Sequence, residues 1–126
     1  MPQMSLEQVE SLCYDALKRA GASDAQAAIV AEELMDAEAE GIRNVGLGYL
    51  HLYLKHLRCG KVNPDADPKI VKRSEATTVV DADFGFCHHA YLIAEQRLIE
   101  TTRAQGVGLM SIHQSSSAGV LGWFVR

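Results

Sequence analysis

The five histidines are the residues of this chain best suited to proton transfer, because imidazole changes charge near neutral pH. His51 and His56 lie in a helical pattern at a spacing that points them in different directions. The neighbours His88 and His89 diverge by about 100° around a helix, so they do not predict a shared site either. His113 ends a predicted strand, where α/β proteins often place their sites. A catalytic role for it competes with a structural one, which we favour.

One pair of carboxylates and the three thiols are the other candidate reactive groups. Asp81 and Asp83 can act as a carboxylate pair, but their position between a strand pattern and a helix pattern favours turn formation and capping. Cys13, Cys59 and Cys87 are odd in number and form no Cys-x-x-Cys pair, which argues against a disulfide framework and a zinc site. We expect reduced thiols and no metal.

Three amphipathic helices are predicted before residue 61. Ser5-x-x-Gln8 is a capping-box sequence that opens a helix over about 6–20, and Ser23-x-x-Gln26 repeats it before a helix that ends at Gly41. A third apolar stripe runs from Leu47 to the Cys59-Gly60 stop. These helices can bury their stripes against one another.

The second half has the pattern of an α/β protein. A proline-rich connector at 63–68 marks the expected domain boundary, with a helical region over 1–66 and an α/β region over 67–126. Strands are predicted at 70–72, 77–80 and 107–113, a helix at about 88–105, and the start of a further helix at 118–126. Strand 77–80, the long helix and strand 107–113 predict a right-handed parallel βαβ unit. Such a unit leaves sheet edges uncovered, so we expect further chain or a partner chain.

Composition excludes several function classes. The net charge is −4 and the basic residues are scattered, which argues against nucleic acid as a partner. No apolar run is long enough to cross a bilayer and the start does not resemble a secretory signal, so we expect no membrane span and a cytoplasmic location. Neither G-x-G-x-x-G nor a P-loop occurs, so any dinucleotide binding must use another fold.

Four stretches together resemble the type-2 malate/L-lactate dehydrogenase family, the NAD(P)-dependent reductases of 2-oxo acids and imines that lack the Rossmann fingerprint. They are AEGIRNVG at 39–46, YLKHLRCGKVNP at 53–64, TTVVDADFGF at 77–86 and SSSAGVLGWF at 115–124. The resemblance implies a helical N-terminal region followed by the opening of a mixed-sheet nucleotide-binding domain. Since members of this family are more than twice as long, the chain is expected to be about the first third of one.

The resemblance also implies which residues occupy the site. Where the family has Ser-His-Gly, this chain has Asn44-Val45-Gly46, and Ser117 stands where a Ser-Asn-His segment supplies the second histidine. These are the implied catalytic positions Asn44, Val45 and Ser117. Tyr49 takes the place of the substrate-binding arginine, while Ser115 and Gly119 are implied to bind NAD or NADP, and Gly85 and Gly122 can likewise let backbone approach a pyrophosphate.

Replacement of the histidines predicts that little catalysis survives. Valine cannot transfer a proton, a serine without a base is a poor acid, and tyrosine lacks the bidentate fork that holds a carboxylate. We therefore expect a truncated, catalytically degraded relative of enzymes that exchange hydride between NAD(P)H and a small 2-oxo or 2-hydroxy acid, and inactivity for this chain alone. The alternative is a non-enzymatic interaction module, a homo-oligomer formed through the exposed sheet edge and the apolar cluster at 120–124. A nucleotide-binding protein without turnover ranks third.

Overall fold

The computed structural model describes residues 3–116 and 119–125 as four α-helices, three strands and a final 3₁₀ helix. In chain order these are α1 (Leu6–Arg19), α2 (Asp24–Ala39), α3 (Leu47–Arg58), β1 (Lys69–Arg73), β2 (Thr77–Asp81), α4 (Cys87–Gln105), β3 (Leu109–His113) and the 3₁₀ helix (Leu121–Val125). The predicted α/β class is confirmed. None of the helices in the described part of the chain is long and apolar enough to cross a membrane.

The first two helices begin differently although their sequences are alike. At α1 the capping box is complete, because Gln8 N–H donates to Ser5 Oγ (3.2 Å) and Ser5 N–H donates to Gln8 Oε1 (2.9 Å). At α2 the Ser23 hydroxyl accepts from Gln26 N–H (3.4 Å), but the Gln26 side chain points into the protein. The predicted second capping box is therefore wrong in its reciprocal half.

The main core lies between the three N-terminal helices. The stripe of α2 is buried against α1 on one side and α3 on the other, and Phe86, from beyond the connector, completes the same core. Its largest fully buried apolar side chains are those of Leu17, Val30, Leu34, Tyr53, Val62 and Phe86. Because Phe86 belongs to the second half of the sequence, this core joins the two halves.

The sheet is mixed, with strand order β1-β2-β3. β2 pairs with β3 in parallel from Thr77↔Leu109 to Asp81↔His113, as the βαβ prediction requires. β1 pairs antiparallel with β2, and its register shifts between Ile70 and Lys72. Helix α4 packs on the sheet and encloses a second, smaller core of Val80, Ala82, Ala90 and Ala94.

The last segment differs from the prediction of an α-helix. The residues from Leu121 to Val125 form a 3₁₀ helix. Gly119 has a φ of +55°, a conformation that interrupts α-helical winding. Trp123 and Phe124 are half-buried, while Leu121 is 75% exposed, so the predicted apolar cluster is largely covered from within.

Candidate functional site

The α2–α3 turn holds the first pair of implied catalytic positions. The turn closes through Ile42 N–H to Ala37 O (2.8 Å) and Val45 N–H to Ile42 O (3.1 Å). Asn44 is exposed and Val45 is half-buried. The Val45 side chain is purely hydrocarbon, so this point of the site can shape a pocket but cannot bind or move a proton.

Glu38 fixes the start of α3. The N-cap residue Gly46 has no side chain, and the Glu38 carboxylate takes over the capping role by accepting from Leu47 N–H at 2.7 Å. A Cβ at Gly46 would lie only 2.9 Å from Glu38 Cδ. Glycine at 46 therefore lets the carboxylate reach the helix end, which holds the turn bearing Asn44 and Val45 between two helices.

Tyr49, the implied substrate-binding residue, belongs to a row of three aromatic rings. Its half-buried ring meets Tyr53 edge to face with centroids 5.1 Å apart, and Tyr53 meets Phe86 in the same way at 5.1 Å. Phe86 in turn forms a parallel backbone bridge with Ser116. The row thus connects Tyr49 on α3 with the loop that carries the other implied site residues.

The loop after β3 is attached to the first turn of α4. Cys87 N–H donates to Ser116 O (3.1 Å), and Ser116 N–H donates to Gly85 O (2.9 Å). Burial raises the pKa of the Cys87 thiol, and a hydrogen bond with the Ser115 side chain partly offsets this effect. Ser115 itself is exposed, whereas Ser117 lies outside the described residues.

Gly119 lies directly against a buried carboxylate. Glu33, on α2, is completely buried, and its Oε1 accepts a hydrogen bond from Val120 N–H at 2.9 Å. A Cβ placed on Gly119 would contact Oε1 and would lie 2.7 Å from Cδ. Only glycine allows this approach, so the structure brings Gly119 together with Glu33.

This arrangement does not fit a bound dinucleotide at Gly119. A pyrophosphate needs free backbone N–H groups and space beside the glycine. Here the Val120 N–H already donates to Glu33, and the carboxylate fills the space. At Val120 the turn therefore offers an anion no free N–H, and beside Gly119 it offers no room.

Gln26 joins the helical half to the α/β half. Its Nε2 donates to Asn63 O (3.0 Å) and Pro64 O (2.8 Å), and its Oε1 accepts from Phe86 N–H (2.9 Å). Gly85 allows this contact, since a Cβ there would lie 2.5 Å from that of Ala66 and 2.9 Å from Gln26 Oε1. In the structure, Gly85 thus serves close packing within the protein.

The histidines do not gather into one site. His88 is fully buried and stacks on Phe124 with centroids 5.3 Å apart, while His113 is exposed at the end of β3. His51 is exposed and contacts Gly48 O through Nδ1 at 2.7 Å. Within residues 3–116 and 119–125, no group of three His, Cys, Asp or Glu side chains is placed to hold a metal ion.

Asp81, the last residue of β2, and Asp83 build a turn, as their position in the sequence favours. Asp83 N–H donates to Asp81 Oδ1 (2.9 Å), and Asp83 Oδ2 accepts from Asn63 Nδ2 and Asp67 N–H, both at 3.1 Å. The capping half of the expectation is wrong, because α4 begins after Phe86, whose side chain cannot accept a hydrogen bond.

The sequence reasoning missed the polar side chains that organise this region, namely Gln26, Glu33 and Glu38. A signal for the first two was present. Gln26, Val30, Glu33 and Ala37 follow the spacing of one helix face, and all four are buried. Two polar residues on an apolar stripe indicate buried partners, because polar groups are seldom buried without hydrogen bonds.

Comparison with known proteins places the chain in a family. Residues 4–126 match the model of the malate/L-lactate dehydrogenase family. Since the match spans nearly the whole chain, this protein belongs to that family of dehydrogenases.

Two similar proteins of assigned activity illustrate the relationship. L-sulfolactate dehydrogenase of Methanocaldococcus jannaschii is 32% identical over 118 residues, 94% of this chain and 34% of the relative. The Δ1-pyrroline-2-carboxylate/Δ1-piperideine-2-carboxylate reductase of Pseudomonas aeruginosa is 30% identical over 114 residues, 90% of this chain and 34% of the relative. The chain spans about a third of the length of these relatives.

The fold agrees with crystal structures from the same family. Δ1-piperideine-2-carboxylate reductase from Pseudomonas syringae superposes with a TM-score of 0.94 at 28% identity, covering 99% of this chain and 38% of that one. Sulfolactate dehydrogenase from M. jannaschii superposes with a TM-score of 0.86 at 31% identity, covering 96% and 35%. The predicted fold and family are thus confirmed.

Proposed function

We propose that this chain forms the N-terminal part of an oxidoreductase fold that exchanges hydride between NAD or NADP and a small 2-hydroxy or 2-oxo acid, and that it is inactive alone. The observation that carries the proposal is the pairing of a family fold with Val45 and Tyr49 at implied site positions. A hydrocarbon and a phenol replace the implied imidazole and guanidinium. The scaffold is kept, while the groups needed for chemistry are changed.

The names of the relatives support the substrate class. They include a (2R)-3-sulfolactate dehydrogenase (NADP(+)) and a Δ1-pyrroline-2-carboxylate reductase. The substrates in these names carry a carboxylate next to a C–O or C=N carbon. Such a substrate requires a proton donor at the heteroatom and a cation or dipoles at the carboxylate. The reaction belongs to the longer relatives, and its occurrence in this protein is our proposal.

Loss of the proton donor is the main reason to expect inactivity. Removing a general acid or base costs about 10²–10⁴ in rate. Tyr49 can donate one hydrogen bond, but it lacks the charge and the paired donors of arginine. Asn44 and Ser117 offer no group that ionises near neutral pH, and Glu33 fills the turn at Gly119, so we expect neither turnover nor cofactor binding by this chain.

The test is a direct assay of the purified chain. NADH or NADPH is mixed with pyruvate and a panel of other 2-oxo acids, and absorbance at the nicotinamide band is followed. We expect no consumption above a protein-free control, and consumption by the wild-type chain would overturn the claim of inactivity. The triple variant Val45→His, Tyr49→Arg, Ser117→His is expected to stay inactive, since about two thirds of each relative has no counterpart in this chain.

A second candidate function, that of an interaction module, is favoured by the open edge of β3. Leu109 is 60% exposed and Leu121 is 75% exposed, and apolar edges of this kind attract further strands or copies. We propose homo-oligomerisation as the form this would take, and light scattering of the purified chain tests it. A clean monomer across the micromolar range would rule the module out.

The three free cysteines support a reducing, cytoplasmic location.

A further inference from the structure

The turn at Gly119 and Val120 shares one feature with anion sites, a glycine with a left-handed backbone, and a carboxylate of the protein itself lies against it. Gly119 has a positive φ of +55°, which directs the following N–H toward α2. Successive backbone groups in such a turn form a concave surface that attracts negative charge. The group that meets it is the Glu33 carboxylate, 87 residues earlier in the chain.

The contact is built for close approach. Glu33 is completely buried, and its Oε1 lies 2.9 Å from the Val120 nitrogen, an ordinary hydrogen-bond length. Glycine at 119 removes the Cβ that would overlap the carboxylate. A carboxylate that accepts a backbone N–H inside a protein forms one of the stronger kinds of hydrogen bond.

The negative charge of Glu33 also acts on Cys13 of α1. The pKa of Cys13, on α1, is raised to about 11, first by burial and then by the negative charges of Glu38 and Glu33. The carboxylates of Glu38 and Glu33 therefore both disfavour a negative charge on Cys13. A second anion approaching Gly119 would meet the same repulsion.

We propose that Glu33 is an internal ligand that closes the Gly119–Val120 turn to external anions and holds the C-terminal 3₁₀ helix against α2. By filling the turn, it prevents a diphosphate group from using the backbone there. The proposal rests on the proposed function only in its choice of ligand, since a dinucleotide is the diphosphate that an oxidoreductase of this family would bring.

The chain contains one tryptophan, which reports on the closed turn. Trp123 follows Val120 by three residues, and its backbone N–H donates to Val120 O at 3.0 Å. Its ring lies edge-on to His88 with centroids 5.2 Å apart. Release of the Val120 N–H from Glu33 is expected to loosen this packing and shift Trp123 emission to the red.

The experiment compares Glu33→Ala and Glu33→Gln with the wild type, and uses Glu10→Ala, which removes an exposed carboxylate from α1, as the control. Trp123 emission is recorded alone and during titration with inorganic pyrophosphate, and far-UV circular dichroism checks folding. Glu33→Ala is expected to show red-shifted emission and at least about tenfold tighter pyrophosphate binding, because donor and space are freed and a like charge is removed. Wild type and Glu10→Ala are expected to behave alike.

Glu33→Gln separates charge from hydrogen bonding. Its amide oxygen can still accept from Val120 N–H, so its emission is expected to match the wild type, while its pyrophosphate affinity rises by a smaller factor. Unchanged emission in Glu33→Ala, or equal pyrophosphate affinity in all forms, would overturn the proposal. If Glu33→Ala does not fold, a pyrophosphate affinity of Glu33→Gln equal to that of the wild type would also overturn the proposal.

NADH is titrated last, so that the two proposals fail separately. If Glu33→Ala binds pyrophosphate but not NADH, the internal-ligand inference stands and the nicotinamide part of the proposed function loses support. If it binds neither, the inference itself is wrong.

Discussion

At the scale of single residues, buried polar side chains join the two halves of this protein alongside the apolar core that Phe86 completes. Gln26 makes three hydrogen bonds to backbone groups at 63, 64 and 86, and Glu33 makes one to Val120. Gln26 and Glu33 each satisfy one backbone N–H, that of Phe86 or that of Val120, and a buried N–H without an acceptor is costly. Their removal should therefore affect stability more than the loss of an equally large surface residue.

Gln26→Leu tests this at the junction. The leucine fills similar volume but leaves the Phe86 N–H and two carbonyls without the amide, so we expect a loss of about 2–4 kcal/mol in the free energy of unfolding. Urea denaturation followed by circular dichroism measures it. Gln96→Leu is the matched control, because Gln96 is exposed on α4 and its side chain donates to the exposed Glu100. Equal losses in the two variants would contradict the assigned role of Gln26.

Cys13 predicts a specific pH dependence. Its pKa is raised from 9.0 to about 11 in the folded protein, so the folded state holds the proton more tightly than the unfolded chain. This contribution to stability is complete below about pH 9 and is lost as pH rises toward 11, on the order of 2 kcal/mol in all.

The measurement compares urea midpoints at pH 8 and pH 10.5. The Cys13→Ala variant should lose less stability between these pH values than the wild type does. Cys59→Ala changes an exposed thiol and should keep the wild-type slope. If Cys13→Ala and the wild type lose stability in parallel, burial of the Cys13 thiol is not the cause.

At the scale of elements, the β2–α4 turn positions the start of α4 against α2. Gly85 lies where a Cβ would be 2.5 Å from Ala66 Cβ and 3.0 Å from Ala82 O, so no side chain fits without moving the connector or the turn. This close approach lets Gln26 reach the Phe86 N–H. The packing of α4 against α2, and the attachment of the loop at Ser116, therefore depend on glycine at position 85.

Gly85→Ala is expected to destabilise the protein by about 1–3 kcal/mol, the usual cost of overpacking. Thermal or urea unfolding measures the change. Gly122→Ala serves as the control, because a Cβ there would meet only Val120 Cγ1 at 3.7 Å, an ordinary contact, and should change stability by less than about 0.5 kcal/mol. A neutral Gly85→Ala would mean that the turn can yield.

At the scale of the whole molecule, the open edge of β3 determines how the chain meets other chains. The edge strand contains no Lys, Arg, Asp or Glu, and charges are the common protection against edge-to-edge pairing. If the chain associates, Leu109→Lys should shift it toward monomer in sedimentation velocity without loss of helicity. Leu92→Lys, on exposed α4 surface, is the control and should leave the association unchanged. An equal response of both variants would place the contact elsewhere.

The helices and strands of this fold could largely be predicted from local sequence signals. Ser5 with Gln8 opens α1, Gly106 in a left-handed conformation ends α4, and β-branched residues mark β2, so these elements were predicted nearly residue by residue. Such signals act within a few residues of the chain. The family was predictable for a related reason, since its motifs are short stretches in a fixed order.

What the sequence determined alone, then, is the four α-helices and three strands, the parallel β2–β3 pairing and the presence of a valine at position 45. The tertiary structure decided that Gln26 turns inward, that Glu33 reaches Gly119, that β1 pairs antiparallel with β2, and that the chain's last described residues wind as a 3₁₀ helix. The division between residues 66 and 67 stays a prediction. Periodicity tells which face of a helix is buried, but the partner of a polar group on that face lies tens of residues away, and only packing in three dimensions selects it.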